Sequence, residues 1–376
     1  MASIARRPDG RWRARYRDDA GREHAKHFPR KTDAQRWLDE VTASIVTGRY
    51  VDPQAGRATF RDYAEQWRAG QVHRPSSAAH IETMLRRHAY PALGERPLSS
   101  ILPSEVQAWV KGLGSAEGDT RALAPATIGV VHGIVSSVFK AAVRDRRIMA
   151  NPCEGTRLPK VERAKVFPPT TEQVERLRDA FPEPGLRAVV TFTAGTGLRQ
   201  GEVFGLTVDR VDMLRREVNV DRQLVQVPRQ PPRLGPPKTK ASRRTVPLPH
   251  VVVDALEVHL AEFPPGPDGL VFTLEGQPVS RQSFGRLWRP AARSTGLPDG
   301  TGLHLLRHYY ASLLIRYGES VKTVQARLGH ATAAETLDTY SHLWPDSDDR
   351  TREAVDTQLG GRPSEVADYL RTETGS

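Results

Sequence analysis

Five side chains in the second half of the chain are of the types that break a phosphodiester bond without a metal. They are two arginines, two histidines and a tyrosine: Arg199, His304, Arg307, His330 and Tyr340. Negative charge builds on the non-bridging oxygens of a phosphodiester during nucleophilic attack, so fixed cationic donors lower the barrier. Arginine suits this task because its planar fork donates two parallel hydrogen bonds and stays charged.

The tyrosine would be the nucleophile. Its oxygen can form a covalent phosphoester that conserves the bond energy for a second transfer. A phenol has an ordinary pKa of about 10, whereas an imidazole with an ordinary pKa of roughly 6.5 can accept or relay a proton. His304 and His330 are the candidates for that role. Any one histidine or tyrosine is more often structural, so the prediction depends on the combination of residue types and their order.

The segments around these residues predict how they are held. Arg199 follows Gly197 at the start of a predicted helix, where Glu202 at i,i+3 could hold the guanidinium group in place. His304 and Arg307 are also three residues apart and share one face of a later helix. A glycine stops the next short helix immediately before the second histidine.

A lysine would supply the proton for the leaving 5′ oxygen, because an ammonium group donates a proton more readily than a guanidinium group. Lys238 and Lys240 are the only lysines between Val166 and Val321. Both lie in the run Lys238–Leu248. This run follows strand-like segments at Val218–Asp221 and Leu224–Val227 and a proline-rich turn, and together they predict a hairpin with a basic rim. A loop lysine that only contacts phosphate or solvent is the alternative interpretation.

Composition limits the class of protein. The chain has 376 residues, enough for two or three domains, and a formal net charge of +11, which favours a polyanionic partner. A high-GC gene would also produce many arginines, so the charge alone decides little. The single cysteine excludes an internal disulfide framework and any cysteine-rich zinc site. No stretch approaches the roughly 18 apolar residues of a membrane span, and we expect a cytoplasmic, nucleoid-associated protein.

Residues 1–52 predict a small three-stranded sheet followed by a helix that begins at Thr32–Asp33. The strands alternate arginines with aromatic residues, and such a face could enter a DNA groove or lie along phosphates. Arg11, Arg13 and Arg15 are the candidate DNA contacts. A solvated basic face without a partner would show the same pattern.

The remaining chain divides into four segments by periodicity and composition. Residues 58–150 show only helical periodicity and predict a four-helix domain, which could clamp a ligand or be purely structural. Residues 151–166 predict a linker, and residues 167–345 a mixed α+β domain that contains every candidate catalytic residue. Residues 346–376 form a polar C-terminal tail.

Together these motifs resemble those of the tyrosine recombinase family, specifically its phage-type integrases. The similar runs are Thr196–Glu202, Pro237–Leu248, His304–His308, Leu328–His330 and Thr336–His342. The similarity covers about residues 59–345. The N-terminal sheet and helix resemble the arm-site-binding domain of the larger members.

The resemblance implies a multidomain, mainly α fold with small β elements. Its parts would be an N-terminal three-stranded sheet plus helix, a four-helix core-binding domain and a mixed α+β catalytic domain. The catalytic residues it implies are Arg199, Lys238, His304, Arg307, His330 and Tyr340, with Glu202 supporting the first arginine. The family pattern favours Lys238, and Lys240 remains a candidate acid. Lys240 and Arg243 are also candidate DNA contacts.

The implied activity is site-specific recombination that integrates or excises a mobile element. Tyr340 would attack the scissile phosphate, form a 3′-phosphotyrosyl bond and release a 5′-hydroxyl, so neither ATP nor a metal cofactor is needed. The implied partners are double-stranded DNA at attachment sites, three further copies of the chain in a synaptic tetramer, a DNA-bending protein and an excision factor.

Three other classes of protein are alternatives to a recombinase. A type IB topoisomerase uses similar chemistry but relaxes any supercoiled DNA, and a DNA-binding regulator would have lost catalysis. A nuclease would need metal-binding carboxylates, and no Asp/Glu cluster at ligand spacing is visible in the sequence.

Overall fold

The structure is a computed structural model that describes residues 2–18, 21–47, 50, 52, 55–116, 121–162, 167–344 and 348–359. The chain divides into two compact units, Met1–Arg163 and Ala164–Ser376. Most elements are helices, and the sheets are small. The predicted mainly α fold with small β elements is therefore confirmed. Residues 346–347 and 360–376 of the predicted tail and residues 163–166 of the predicted linker lie outside the described residues.

The first unit begins with the predicted three-stranded sheet and its helix. Strands β1 (Ser3–Arg6), β2 (Trp12–Arg17) and β3 (Glu23–Phe28) pair antiparallel in chain order. Alternation along β2 buries Ala14 and Tyr16, which form one apolar cluster with α1 (Lys31–Val46). The opposite face of β2 carries its arginines.

Helix α1 begins slightly earlier than predicted. The extended residue Arg30 precedes the first helical residue, Lys31, so Thr32 and Asp33 lie inside the first turn instead of capping it. Asp33 is still favourable there, because the N-terminus of a helix carries a partial positive charge.

The rest of the first unit is helical, as predicted. Its helices are α2 (Phe60–Ala69), α3 (Pro75–Met84), α4 (Tyr90–Leu93), α5 (Pro103–Leu113) and α6 (Pro125–Arg144). A π-helical turn, Leu85–Ala89, joins α3 to α4, so these form one continuous helix. Pro91 lies next to this π-helical turn, and the helix ends at Leu93, before Gly94.

Helix α6 is the central helix of this helical part. It is the one helix among the described residues that is long and apolar enough to cross a membrane by length and composition. The expectation that no stretch approaches such a span was therefore wrong. Val131, Val135, Val138 and Phe139 of α6 are buried in the core formed with the other helices, and this packing accounts for the apolar sequence.

The second unit alternates helices with short strands. Its helices are α7 (Thr171–Asp179), α8 (Arg187–Thr196), α9 (Gln200–Phe204), α10 (His250–Glu262), α11 (Arg281–Ser294), α12 (His304–Arg316), α13 (Val321–Leu328), α14 (Ala333–Tyr340) and α15 (Asp348–Leu359). Its strands are β4 (Val211–Asp212), β5 (Glu217–Val220), β6 (Gln223–Val225), β7 (Arg233–Gly235), β8 (Arg244–Pro247), β9 (Thr273–Leu274) and β10 (Gln277–Pro278).

The strands form three small antiparallel sheets, β4-β5-β8, β6-β7 and β9-β10. The run Lys238–Leu248 was predicted to form part of a hairpin with the strand-like segments before it, but only Arg244–Pro247 of this run is a strand; its partner is β5. Pro236 and Pro237 cannot donate ladder hydrogen bonds. The chain between β7 and β8 is therefore a loop, and both lysines lie in it.

The main core of the second unit is built around α8. Val189 and Phe192 of α8 are fully buried in one cluster with Val252 of α10 and Leu306 of α12. A second cluster joins α12, α13 and α14 and contains Tyr340. Helix α12 belongs to both clusters, so it brings the end of α8 close to the last residue of α14.

Candidate active site

Arg307 is the cation around which this site is built. Its side chain belongs to α12 and the residue is only 1% exposed. Nη1 donates to the carbonyl oxygen of Gly197 at 2.8 Å, and Nη2 donates to the carbonyl oxygen of Leu328 at 2.7 Å. Both acceptors lie at helix C-termini, where the backbone carries partial negative charge. Among the described residues, no carboxylate forms an ion pair with Arg307.

Two glycines end the helices that present these carbonyl groups to Arg307. Gly197 ends α8 with a φ of 64°, and Gly329 ends α13 with a φ of 65°. This left-handed conformation turns the chain sharply and favours glycine. A Cβ atom at Gly197 would lie 2.4 Å from Cδ1 of Tyr310, so space also excludes a side chain there. The predicted helix stop at Gly329 is confirmed.

Glu202 lies between two guanidinium groups and is 3% exposed. Oε1 accepts from Nη1 of Arg199 at 3.3 Å, and the backbone N–H of Arg199 donates to Oε2 at 2.9 Å. Arg244 makes a two-pronged contact with the same carboxylate, at 2.9 and 3.2 Å. The contact between Arg199 and Glu202 that the i,i+3 spacing predicted is therefore present.

Burial alone would raise the pKa of Glu202, but the hydrogen bonds and charge of Arg244, followed by those of Arg199, outweigh it and lower the pKa. The carboxylate is consequently ionised at neutral pH. Arg199 also donates from Nη2 to the carbonyl oxygen of Gly329 at 3.1 Å. Both candidate catalytic arginines thus contact the chain at the end of α13.

The charges at this centre do not balance. The site holds three guanidinium groups, those of Arg199, Arg244 and Arg307, but one buried carboxylate, and that carboxylate pairs only with the first two. Burial, followed by the charge of Arg199, lowers the pKa of Arg307 to about 9, so this residue is still a cation at neutral pH. A buried positive charge is costly unless it is compensated. An anion such as a phosphodiester would complete the site.

Tyr340 is the last residue of α14 and is 1% exposed. Its hydroxyl lies 2.7 Å from Nδ1 of His308. The ring of His330 stacks on the tyrosine ring with 6.5 Å between centroids, and its Nδ1 lies 2.8 Å from the hydroxyl of Thr336. The ring of His304 meets that of His308 edge to face at 4.7 Å. The structure thus places His330 and His308 against the tyrosine, and His304 against His308.

Burial fixes the protonation states of these groups. It lowers the pKa of His304 to about 4, with smaller contributions from Arg307, Arg199 and His330. Burial also lowers the pKa of His308 to about 4 and that of His330 to about 3. It raises the pKa of Tyr340 to about 12, although the two arginines oppose this. At neutral pH the three imidazoles are neutral and the phenol keeps its proton.

Lys238 and Lys240 are solvent exposed in the loop between β7 and β8. The end of this loop reaches the site, because a Cβ atom at Gly329 would lie 3.1 Å from the carbonyl oxygen of Ala241. Nε of Arg244, the next strand residue, donates to the carbonyl oxygen of Arg327 at 2.7 Å. The loop is therefore anchored beside the site. Among the described residues, neither lysine side chain makes a hydrogen bond or an ion pair that fixes it in the site.

The other candidate DNA contacts lie on exposed surfaces. Arg13 and Arg15 of β2 share Glu23, at 3.4 and 3.9 Å, and Arg15 also donates to the hydroxyl of Ser3 at 2.7 Å. Arg11 is exposed in the turn before β2, and Arg243 is exposed next to β8.

One carboxylate cluster was not foreseen from the sequence. Asp18, His24 and Asp52 bring possible metal-ligand atoms within 4.8 Å of one another, in the N-terminal part of the first unit. Arg22 reaches both carboxylates, at 3.2 and 3.3 Å. Arg22 pairs with both carboxylates and His24 also contacts Asp18 at 2.9 Å, so the cluster is an ion-pair network in the fold and gives no support to a nuclease centre.

The sequence interpretation missed two residues of the site, Arg244 and His308. His308 follows His304 by four residues, so helical spacing puts both on one face of α12. That spacing could have identified it. Arg244 stands in a basic run in which the sequence alone does not show which arginine turns inward.

Family models match most of the chain. "Phage integrase family" matches residues 170–346, "Phage integrase central domain" residues 59–158, and "Phage integrase, N-terminal domain" residues 2–47. The first match contains every candidate catalytic residue. The three matches follow one another without overlap.

Individual proteins show the same similarity. A putative prophage phiRv2 integrase of Mycobacterium tuberculosis is 28% identical over 345 residues, covering 89% of each chain. The integrase of transposon Tn1549, solved with transposon right end DNA, has a TM-score of 0.65 and 23% identity, covering 81% of this chain and 100% of that one. A lambda integrase tetramer bound to a Holliday junction has a TM-score of 0.57 and 18% identity, covering 88% and 96%.

The first prediction concerns Gly197. Gly197→Ala should lower the free energy of unfolding by about 2 kcal/mol or more, because alanine disfavours a positive φ and its methyl group would collide with Tyr310. Gly285→Ala is the matched control, since a Cβ there meets nothing within 4 Å and should be neutral or stabilising by up to about 1 kcal/mol. Urea unfolding measures both. Equal stability of the two variants would contradict this account of the turn.

The second prediction concerns Glu202. Glu202→Gln should cost about 3–5 kcal/mol at pH 7, because it leaves buried cations without their carboxylate. The pKa of Glu202 is lowered in the folded state, so its contribution is present above its unfolded pKa of about 4.3 and is lost as pH falls through the folded pKa. Urea unfolding from pH 7 to pH 3 should therefore show the difference between wild type and variant shrinking in acid. Glu257→Gln, at an exposed glutamate, should differ little from wild type at any pH. If the difference between wild type and Glu202→Gln did not change with pH, the role given to the Glu202 carboxylate would be wrong.

Proposed function

Because this chain is a site-specific recombinase of the phage integrase family, we propose that it cuts and rejoins DNA through a covalent 3′-phosphotyrosyl bond at Tyr340. The observation that carries this proposal is the buried guanidinium group of Arg307, a cation without a carboxylate partner among the described residues. It belongs to the helix that also holds the tyrosine hydroxyl through His308. A scissile phosphate would supply the missing negative charge.

The phosphate would be held by Arg199 and Arg307. Both are fixed through backbone carbonyls, and Arg199 is further fixed by Glu202, so little reorganisation is needed when charge develops. His304 and His330 are neutral and would donate hydrogen bonds to the non-bridging oxygens. Lys238 is the proposed acid for the leaving 5′ oxygen, and Lys240 is the alternative.

The reaction would then run in two steps. The Tyr340 oxygen bonds to phosphorus while the bond to the 5′ oxygen breaks, and that oxygen leaves as a hydroxyl. The 5′-hydroxyl of a partner strand attacks the phosphotyrosyl bond and restores the tyrosine. Since Tyr340 is 1% exposed, a phosphate reaches its hydroxyl only after DNA binding moves apart the segments that cover it.

Relatives support the proposed partners. The Tn1549 integrase was solved with DNA, and lambda integrase as a tetramer on a Holliday junction. We infer that this chain acts on double-stranded attachment sites as a tetramer, in the cytoplasm at the nucleoid. A DNA-bending protein and an excision factor would set the direction of the reaction. The tail, residues 346–376, would dock on a neighbouring copy.

The proposed domains follow the segments of the sequence. Residues 1–52 would bind arm-type sites through Arg11, Arg13 and Arg15, and residues 58–150 would bind the core site. Residues 151–166 would link them to the catalytic domain, residues 167–345. The positions of the three family matches support this division, and Lys240 and Arg243 would add DNA contacts from the loop beside the site.

The third prediction tests the activity. A supercoiled plasmid that carries the DNA flanking this gene is incubated with the full chain in EDTA, and covalent protein–DNA adducts are collected by potassium–SDS precipitation. Wild type should give adducts and recombinant products that depend on the inserted site. Tyr340→Phe should give neither, while its affinity for DNA stays unchanged, because only the nucleophilic oxygen is lost.

The other outcomes of this assay contradict the proposal. Relaxation of any plasmid regardless of the insert would indicate a topoisomerase. Binding without cleavage would indicate a regulator. A phosphotyrosyl adduct that persists in the phenylalanine variant would exclude Tyr340 as the nucleophile.

The fourth prediction decides between the lysines. Lys238→Ala should slow cleavage of an ordinary substrate. Its cleavage rate should return towards that of wild type on a substrate with a 5′-phosphorothiolate, because sulfur leaves without needing a proton. Lys240→Ala is the matched control, and its cleavage rate relative to wild type should be the same on both substrates. Single-turnover rates on both substrates measure the effect. Rescue of the Lys240 variant alone would reverse the assignment.

A further inference from the structure

The proposed nucleophile is hydrogen-bonded to a histidine to which the proposed mechanism gives no role. The Tyr340 hydroxyl and Nδ1 of His308 are 2.7 Å apart, within the range of a good O–H···N hydrogen bond. His308 belongs to α12, one residue after Arg307. The contact therefore joins the phosphate-binding helix directly to the reacting atom.

The imidazole rings of His304 and His330 make other contacts. Nδ1 of His330 is engaged by the hydroxyl of Thr336, and its Nε2 lies 3.8 Å from the carboxylate of Glu335. The ring of His330 stacks on the ring of Tyr340, a geometry that does not align a nitrogen with the hydroxyl. His304 contacts the ring of His308. Among the described residues, only His308 has a hydrogen bond to the tyrosine oxygen.

We propose that His308 is the general base that accepts the proton of Tyr340 during DNA cleavage and returns it during rejoining. This inference rests on the proposed function, since it requires the tyrosine to be the nucleophile. For this role the neutral ring carries its hydrogen on Nε2, which leaves the Nδ1 lone pair to accept the tyrosine O–H.

The step balances without a further reactant. The O–H bond of Tyr340 breaks and its proton moves to Nδ1 of His308, while the electron pair stays on oxygen and forms the new bond to phosphorus. The bond from phosphorus to the 5′ oxygen breaks, and that oxygen takes a proton from the lysine. In rejoining, the 5′-hydroxyl returns its proton to the lysine as its oxygen bonds to phosphorus, while the phenolate leaves phosphorus and recovers its proton from His308.

The surroundings of His308 suit a base that works only when substrate is bound. Burial, then His304 and Arg307, keep the ring neutral in the free protein, so its lone pair is available. The anionic phosphate would favour the imidazolium form, as any nearby negative charge does. The phenol itself becomes far more acidic as its oxygen bonds to phosphorus. The proton therefore moves together with the attack.

The test uses single-turnover formation of the covalent adduct by the full-length chain on its attachment-site DNA, from pH 6 to pH 9. The variants are His308→Ala and His308→Asn. The asparagine side chain offers an oxygen near the position of Nδ1, so it can keep the hydrogen bond but cannot take the proton. DNA affinity is measured for each variant, so that a folding defect is seen separately.

Both variants should cleave about 10²–10⁴-fold more slowly than wild type at pH 7, the usual contribution of a general base. Without the base, Tyr340 must ionise before it attacks, and its pKa is raised to about 12. The variant rates should therefore rise about tenfold per pH unit, while the wild-type rate changes little. The gap to wild type should narrow as the pH rises.

Two results would overturn the proposal. One is recovery of the wild-type rate by His308→Asn, which would show that the hydrogen bond only positions the tyrosine. The other is a constant ratio between variant and wild-type rates at every pH. Tyr340→Phe run in parallel separates this question from the proposed function. If wild type forms no adduct, or the phenylalanine variant forms one, it is the proposed function that fails.

Discussion

The burial of Arg307 without a carboxylate partner among the described residues is the constraint on which the rest of the site depends. Its charge is met by two carbonyl oxygens, those of Gly197 and Leu328, and both exist because a glycine-terminated helix end faces the guanidinium group. Carbonyl dipoles position a cation without neutralising it. The site consequently keeps a positive charge that a phosphodiester can meet, and the ends of α8 and α13 must lie beside α12 for this arrangement to form.

A second layer of contacts keeps the like charges together. Glu202 binds both Arg199 and Arg244, so one carboxylate offsets part of the repulsion among three guanidinium groups while Arg307 is left for substrate. Arg244 also ties β8 to the end of α13, which holds the lysine loop at the edge of the site. The histidines and the tyrosine complete the site as neutral groups. Burial keeps them neutral, so they add hydrogen bonds to the site and no charge.

The sequence predicted much of this arrangement because local rules govern it. The contact between Arg199 and Glu202 follows from spacing within one turn, and the helix stop at Gly329 follows from glycine's freedom at positive φ. The helices of residues 58–150 also followed from periodicity, whereas the fold of the whole chain was implied by the family resemblance. Long-range packing was not accessible in this way. The inward turn of Arg244 depends on a carboxylate 42 residues away in sequence. The residues that precede β8 in the run Lys238–Leu248 form a loop and not a strand, which the local pattern did not show. The apolar sequence of α6 was likewise explained only by its core packing.

The central claim is that one phosphate is held by the two arginines while Tyr340 attacks it. Mass spectrometry of the protein–DNA adduct, after nuclease trimming and proteolysis, tests this claim most directly because it identifies the residue that carries the nucleotide. The account predicts a single modified peptide that contains Thr336–His342, with a 3′-linked nucleotide on Tyr340. A nucleotide on another side chain, or cleaved DNA with no attached peptide, would contradict it.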